Sequence, residues 1–484
     1  MAETIDLSEV RIDPACAAKL PAAFALRRLV LPICVVEDEF AVAMADPADE
    51  ATRALVAREA GRAVRAYQAD PAQLRDELLR LYGESRATAS APAADEPVAA
   101  VDRILRAAVL RHASDVHFDP TQDGLRVRFR TDGELEDVTT VSSALQPAVT
   151  SRLKVMAGLD IAERRAPQDG AFTWRLQGGD ARRVPPMDVR MATLPVRHGE
   201  RITLRLLEAG GERLTLDSLG LAPSDRAAFE EVLERPHGLV LLTGPTGSGK
   251  TTTLYAAIQM LLKRRALNIL TVEDPIEYEI PGVGQAEVDS ADKVNFAKAL
   301  RSLLRHDPDV IMIGEIRDAE SLDTAVKASL TGHLVLSTLH TNDAVSAVTR
   351  LADMGLAPHL AAATLRLAAA QRLVRALCPH CRAERALERA EAAALGDAAL
   401  EGSTVWGPKG CLRCAGRGYS GRVGVFELFA PDAECVAAIA AGTHARDLFA
   451  MARRKGMRTL ADDARAKCLA GVTTVSEALR VVAQ

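Results

Sequence analysis

Gly244-Pro-Thr-Gly-Ser-Gly-Lys-Thr251 fits the pattern G-x-x-x-x-G-K-[ST] of a phosphate-binding loop. Before it runs Gly238-Leu-Val-Leu-Leu-Thr243, an apolar stretch of strand length, and after it Leu254, Ile258, Leu261 and Leu262 fall along one face of a helical pattern. Strand, glycine loop and helix is the context in which this motif carries meaning. Glycines let the backbone curl so that its N–H groups converge on phosphate oxygens. The helix that begins there adds the positive end of its dipole. On this reading Gly244, Pro245, Thr246, Gly247, Ser248, Gly249, Lys250, Thr251 and Thr252 hold a nucleotide. Lys250 reaches the β- and γ-phosphates, and the Thr251 hydroxyl ligates Mg²⁺. An ordinary glycine-rich turn is the competing reading, and the neighbouring sequence weighs against it.

Three later apolar runs each end in polar residues. Asn268-Ile-Leu-Thr-Val272 leads into Glu273-Asp274-Pro275, Val310-Ile-Met-Ile313 into Gly314-Glu315, and Leu334-Val-Leu-Ser337 into Thr338-Leu-His340. A ligand of an open parallel sheet sits at the carboxyl ends of its strands, so four strand ends are expected to converge on one nucleotide. Hydrolysis of a γ-phosphate needs a positioned water, a metal and compensating positive charge. Glu315 is the candidate to polarise the water, with retention of Mg²⁺ through a water as the alternative. Glu273 and Asp274 are expected to face the same cleft, one of them ordering the metal's hydration shell. His333 and His340 could sense or stabilise the γ-phosphate, and structural hydrogen bonding is the plainer role for either.

The length of 484 residues suggests about three domains. Residues 1–84 read as a small α/β domain, 85–97 as an Ala/Ser/Pro-rich linker, and 98–209 as an α+β domain of alternating strands with a hairpin turn at Asp132-Gly133. A second connector is expected over 210–223, and 224–484 form the nucleotide-binding half, whose tail reads as helical from Pro431. Net charge is −5 and aromatic content 4%, so neither a basic surface nor stacking platforms point to nucleic acid. No apolar run reaches the roughly 18 residues of a membrane span, and the acidic N-terminus lacks a signal-peptide core. The sequence is therefore read as cytoplasmic.

Of eight cysteines, Cys16, Cys34, Cys435 and Cys468 are scattered and read as small buried hydrophobes. Cys378-Pro-His-Cys381 and Cys411-Leu-Arg-Cys414 form two C-x-x-C knuckles that can supply four thiolates to Zn²⁺ in a closed, structural site. Redox use is the alternative. The insert between them, Ala383 to Gly402, reads as helical.

From Val98 onward these pieces resemble the secretion and type IV pilus ATPases, specifically the GspE/PulE-like group of type II secretion. The resemblance rests on A-S-D-V-H at 113–117, P-Q-D-G at 167–170, H-G-E-R at 198–201, L-D-S-L-G-L at 216–221, G-P-T-G-S-G-K-T-T-T at 244–253, T-V-E-D-P-I-E-Y at 271–278, R-H-D-P-D-V-I-M-I-G-E-I-R-D at 305–318, T-G-H-L-V-L-S-T-L-H-T-N-D-A at 331–344 and the knuckles with G-Y-S-G-R-V-G-V-F-E-L at 418–428. It implies a RecA-like ATPase domain with a tetracysteine subdomain over 378–414, preceded by the α+β middle domain and the small N-terminal domain. It implies ATP hydrolysis between the subunits of a homo-hexamer, driving type II secretion through pseudopilus assembly. Extension of a type IV or competence pilus is the alternative within this class; a DNA-translocating ring and a nucleotide-dependent binding switch are alternatives from other classes. Arginines of the middle domain that reach the nucleotide match Arg190 and Arg205, for which a solvated strand face is the plainer reading. Arg301 and Arg305 match arginines flanking the site. The N-terminal domain is expected to dock onto the cytoplasmic part of an inner-membrane assembly protein, giving peripheral membrane association through partners. Residues 1–97 match the family weakly. Pro185-Pro186 sits just before the strand of Arg190 and is a departure from the pattern.

Overall fold

Alternating burial builds one large sheet of this protein and continuous burial builds the other, and the two belong to different compact units. The computed structural model describes residues 3–17, 19–82, 97–175, 186–207, 215–288 and 296–482. Residues 85–96 of the expected linker, Pro185 and residues 210–214 of the expected second connector lie outside the described residues. One unit comprises Met1–Gly211, Leu377–Ala383 and Gly407–Gly421; the other comprises Glu212–Ala376, Glu384–Trp406 and Arg422–Gln484.

The first unit begins with a three-stranded sheet of β1 (Val30–Val36), β2 (Glu39–Met44) and β3 (Val64–Gln68), β1–β2 antiparallel and β2–β3 parallel. Both of its faces are apolar. Phe40, Val42 and Met44 share a core with Val30 and Val56, while Ala41 and Ala43 share another with Leu31, Ile33, Leu74 and Leu78. A six-stranded sheet follows, made of β4 (Ala113–Pro120), β5 (Gly124–Thr131), β6 (Glu134–Ser142), β7 (Gln168–Trp174), β8 (Met187–Val196) and β9 (Gly199–Leu207). Its order is β6-β5-β4-β9-β8-β7 and every neighbour is antiparallel. The turn read at Asp132-Gly133 is present, with both residues at positive φ. Because strand side chains alternate, Val116, Phe118, Val127, Phe129, Val189, Met191, Ile202 and Leu204 all reach one face, where helices Pro97–Leu110 and Gln146–Met156 cover them. The other face carries Asp115, Asp119, Arg128, Arg130, Arg190, Arg201 and Arg205 on positions of the opposite parity.

The second unit holds a seven-stranded sheet of β10 (Gly238–Thr243), β11 (Ile269–Glu273), β12 (Gly284–Glu287), β13 (Val310–Ile313), β14 (Leu334–Leu339), β15 (Leu365–Leu377) and β18 (Tyr419–Phe429), in the order β12-β11-β13-β14-β10-β15-β18. Pairs from β12 through β15 are parallel. β10, β13 and β14 are buried on both faces, as expected of strands sandwiched between helical layers. One layer includes helix Lys250–Arg264, packed through Leu254, Ile258 and Leu261. Leu216 and Leu219, in the described part of the expected connector, are buried in that same core, so this stretch is structured rather than a tether.

One strand arises where no element is legible in the sequence, and one local reading changes. Leu365–Leu377 carries Ala, Leu and Arg, residues of high helix propensity, and no strand is legible there. Pairing with β10 from Leu239↔Leu365 to Thr243↔Ala370 overrides that propensity, and Ala368, Ala369 and Ala370 are fully buried beside it. The insert 383–402 is not one helix. β16 (Ala383–Ala386) pairs with β17 (Thr404–Gly407), and the helix between them, Arg389–Ala394, ends before Gly396 at φ +82. A two-pronged Arg385–Glu391 ion pair, 2.6 Å on each prong, fastens that helix to β16.

In the first unit Lys154 is buried under the six-stranded sheet. Its Nζ donates to Glu200 Oε1 at 2.6 Å and to the Glu163 carbonyl at 2.5 Å, tying helix and loop to β9. Glu200→Ala leaves the ammonium buried without its countercharge and is expected to destabilise this unit by about 3–5 kcal/mol. Denaturant unfolding of the variant checks the loss; an unchanged midpoint contradicts it.

Candidate nucleotide site and metal centre

The phosphate loop leaves β10 at its carboxyl end and enters helix Lys250–Arg264. Gly244, Gly247 and Gly249 stand at φ +144, +79 and +86, backbone states that side-chain-bearing residues avoid. Pro245, Thr246 and Gly247 are exposed at the tip; Thr251 and Thr252, half-buried, follow in the first helical turn. Lys250 Nζ donates to the carbonyls of Gly244 (2.7 Å) and Pro245 (3.0 Å), lying across its own loop. Burial, then the nearby Arg372 charge, push its pKa down to about 8. The Ser248 hydroxyl is buried with no partner among the described residues. Glycine-formed curvature, a cation folded over the loop and an orphaned hydroxyl at a helix N-terminus fit a bound phosphate chain.

The neighbouring strand ends join this loop in series. Thr341 N–H donates to Thr243 Oγ1 at 2.7 Å, binding the segment after β14 to the end of β10. The ring of His340 lies close to the Gly244 backbone, and its Nε2 is 3.3 Å from Glu315 Oε2. Glu315, after β13, also pairs with Arg317, whose Nη1 is 3.4 Å from the Asp274 carboxylate beyond β11. Burial first, then the charges of Lys250 and Arg317, hold the His340 pKa below its usual value. The structure thus brings together the phosphate loop, His340, Glu315 and Asp274.

Other expected members stand elsewhere. His333 precedes β14 and so lies at the amino edge of the sheet, where its carbonyl accepts from Gly238 N–H at the start of β10. Its Nδ1 is 2.9 Å from the Ala328 carbonyl, so it caps the helix Ala319–Leu330 instead of facing the loop. The strand, at about 3.3 Å per residue, separates it from the carboxyl edge. Glu273 is 2% exposed and does not open onto the cleft. Strand parity points it with Thr271 towards the phosphate-loop helix, where it accepts from Tyr255 Oη, Thr271 Oγ1 (2.5 Å) and Gln285 Nε2 (3.0 Å). It anchors that helix to β11. Arg301 pairs with Glu320 at 3.3 Å, and Arg305 bonds back to the Arg301 carbonyl (3.4 Å) and Ser302 Oγ (3.5 Å), so neither contacts the loop within this chain. Arg190 and Arg205 belong to the other unit. They are directly opposite each other on β8 and β9. Arg205 Nε donates to Asp115 Oδ1 at 3.2 Å. Asp115 also faces Arg130 at 3.8 Å, and Asp119 holds Arg128 (2.7 Å) and Arg201 (3.0 Å). The sequence reading passed over Gln371, Arg372 and the pairing role of Arg317. A polar pair inside the apolar run 365–377 was the available signal for the first two.

The knuckles meet. Sγ of Cys378 lies 3.9 Å from that of Cys411, and Sγ of Cys414 lies 3.8 Å from those of Cys381 and Cys411. Tetrahedral zinc with Zn–S of about 2.3 Å sets sulfurs about 3.8 Å apart. The amides of Cys411 and Gly418 each donate to Cys414 Sγ at 3.2 Å, support typical of a thiolate ligand. These residues fit zinc and leave no open ligand position. The second knuckle also packs on the three-stranded sheet. Leu412 and Ala415 join its core, Arg11 N–H donates to the Leu412 carbonyl at 3.0 Å, and Lys409 pairs with Glu37 at 3.0 Å. Gly416, at φ +76, is seated so closely that a Cβ would lie 2.2 Å from the Val35 carbonyl.

No described helix is long and apolar enough to cross a membrane. A match to the Type II/IV secretion system protein family spans residues 93–480, and a match to the MshEN domain spans residues 2–88. The type II secretion system protein HxcR of Pseudomonas aeruginosa is 48% identical over 79% of this chain and 76% of its own length. The type II secretion system ATPase E of Vibrio cholerae is 45% identical over 79% of this chain and 74% of its own length. Among solved structures, the ADP-bound pilus retraction motor PilT is 26% identical, with a TM-score of 0.54 over 79% of this chain and 96% of its own.

One zinc per chain is the expected outcome of metal analysis. Chelation, or Cys381→Ser, should speed amide exchange at residues 407–421 and in β1 while β13 and β14 stay protected. Unchanged protection at 407–421 in metal-free protein would contradict a structural zinc.

Proposed function

The chain belongs to the Type II/IV secretion system protein family, and from that premise we propose that it is the ATP-hydrolysing motor of a type II secretion system, driving assembly of a pseudopilus. The observation that carries the reading is the gathering of phosphate loop, His340, Glu315 and Asp274 at the carboxyl edge of one parallel sheet. ATP is held by residues 244–252, with Lys250 released from its own carbonyls to the phosphates. Thr251 would hold Mg²⁺, which would supply compensating positive charge to the phosphates. Glu315 orients and polarises the attacking water, His340 couples that carboxylate to the loop, and Asp274 acts through Arg317. Glu273 is a positioning residue. Zinc at Cys378, Cys381, Cys411 and Cys414 is structural.

Residues 1–84, 98–209 and 224–484 act as docking, arginine-supplying and motor domains of a cytoplasmic homo-hexamer. The first domain recruits the cytoplasmic part of an inner-membrane assembly protein. Arg190 and Arg205 bring charge to the phosphates across a subunit boundary, with Arg301 and Arg305 on the rim. Their support is the family pattern and the pre-set geometry of Arg205 on Asp115.

Mg²⁺-dependent ATPase activity should rise in specific rate with protein concentration as rings form. Lys250→Ala and Arg205→Ala should each be inactive alone, and mixed rings should regain turnover because an intact arginine serves an intact phosphate loop on another chain. Mixtures as inactive as their parents would place Arg205 in the service of its own chain or outside the reaction.

A further inference from the structure

Strand β15 carries Gln371 and Arg372 in the middle of an apolar run, and both are buried, at 1% and 4% exposure. They lie directly beneath the phosphate loop. A Cβ at Gly244 would stand 2.5 Å from the Gln371 carbonyl and 3.0 Å from Arg372 Nη1; one at Gly249 would stand 2.8 Å from Gln371 Nε2. Gln371 Oε1 also accepts from Thr253 Oγ1 at 2.9 Å, fastening the first turn of the phosphate-loop helix to β15. Two glycines of the motif are therefore required by close approach to this pair as well as by their φ values.

Arg372 has an unusual set of partners for a buried guanidinium. Nη1 donates to the Gln371 carbonyl at 3.1 Å and Nη2 to the Asn342 carbonyl at 3.0 Å, while Nε is buried with no partner. No ion pair of Arg372 is present among the described residues. The acids that act on it, Glu427 and Asp343, are engaged elsewhere: Glu427 accepts from the amides of Ala344 and Leu460, and Asp343 from the amide and hydroxyl of Ser346. Arg375, on the same strand, shows the contrast, since the Glu477 carboxylate holds it at 2.8 and 3.1 Å. A buried charge is retained when an opposite charge meets it. The anion-binding loop above Arg372 is where such a charge arrives.

We propose that Gln371 and Arg372 form the floor of the phosphate site, with Arg372 a positioning residue whose buried charge stabilises the loop when it carries the phosphate chain of a nucleoside triphosphate. Through Asn342 the same guanidinium ties the loop to the segment that begins at His340. The inference rests on the nucleotide reading above.

The test compares full-length wild type with Arg372→Gln, Arg372→Lys and Gln371→Glu. Equilibrium binding of ATP and ADP is measured beside KM, kcat and a thermal melt. Arg372→Gln is expected to weaken ATP binding about tenfold or more, with KM rising further than kcat falls, and Arg372→Lys to restore affinity to within about threefold. Gln371→Glu, which sets a negative charge on the floor, is expected to weaken ATP by a similar factor. Wild-type affinity in Arg372→Gln overturns the proposal. So does an Arg372→Lys variant that folds yet binds about tenfold more weakly than wild type, because charge is then not what the loop needs. Should Arg372→Gln fail to fold, Gln371→Glu decides, and its binding ATP as wild type does overturns the floor. Failure of wild type itself to bind ATP overturns the nucleotide reading first.

Discussion

The motor half depends on the seating of one loop against its neighbouring strands. Gly244 turns out of β10 where a side chain would collide with β15 on one side and with Ser248 on the other. That tightness sets the loop beside the segment after β14, which Thr341 ties to the end of β10, and beside Glu315, which lies against His340. The loop and the ends of β14 and β13 are thus one contiguous set of packed contacts.

Charge follows a consistent logic across both units. In the motor sheet cations gather beneath and across the loop, and the carboxylates of Glu315 and Asp274 are bridged by Arg317. In the six-stranded sheet the polar face has the inverse arrangement, with Asp115 and Asp119 each flanked by arginines from adjacent strands. Each carboxylate is shared between two guanidinium groups, which sets their orientation on the polar face of the sheet. The second cysteine knuckle is seated on the N-terminal sheet through Leu412 and Ala415 and so joins chain segments remote in sequence.

Much of this was legible because the signals were local. The loop motif, the apolar runs of β10, β13 and β14, the hairpin at Asp132-Gly133 and the two C-x-x-C knuckles each announce themselves within a few residues. What escaped depends on register or on tertiary pairing. Proximity in sequence to a strand suggests that a residue belongs to the cleft, yet His333 enters β14 whereas His340 leaves it, and the two ends of a parallel strand serve different purposes. Glu273 and Asp274 are adjacent, but strand parity sends the first into the core and leaves the second at the edge. Leu365–Leu377 has the composition of a helix and becomes a strand because β10 offers an edge and three alanines permit close packing. The family resemblance alone suggested roles for Arg190 and Arg205; their placement opposite each other is a matter of hairpin register.

A single-turnover measurement on Glu315→Gln separates action on the reaction, expected of Glu315, from action on binding, expected of the loop. Limiting Mg²⁺-ATP is mixed with excess protein at a concentration above the dissociation constant, and bound nucleotide and released phosphate are followed together. The expected result is ATP affinity within about threefold of wild type and phosphate release slowed about a hundredfold or more, the loss that follows when a group stabilising only the transition state is removed. Phosphate release at the wild-type rate would contradict it.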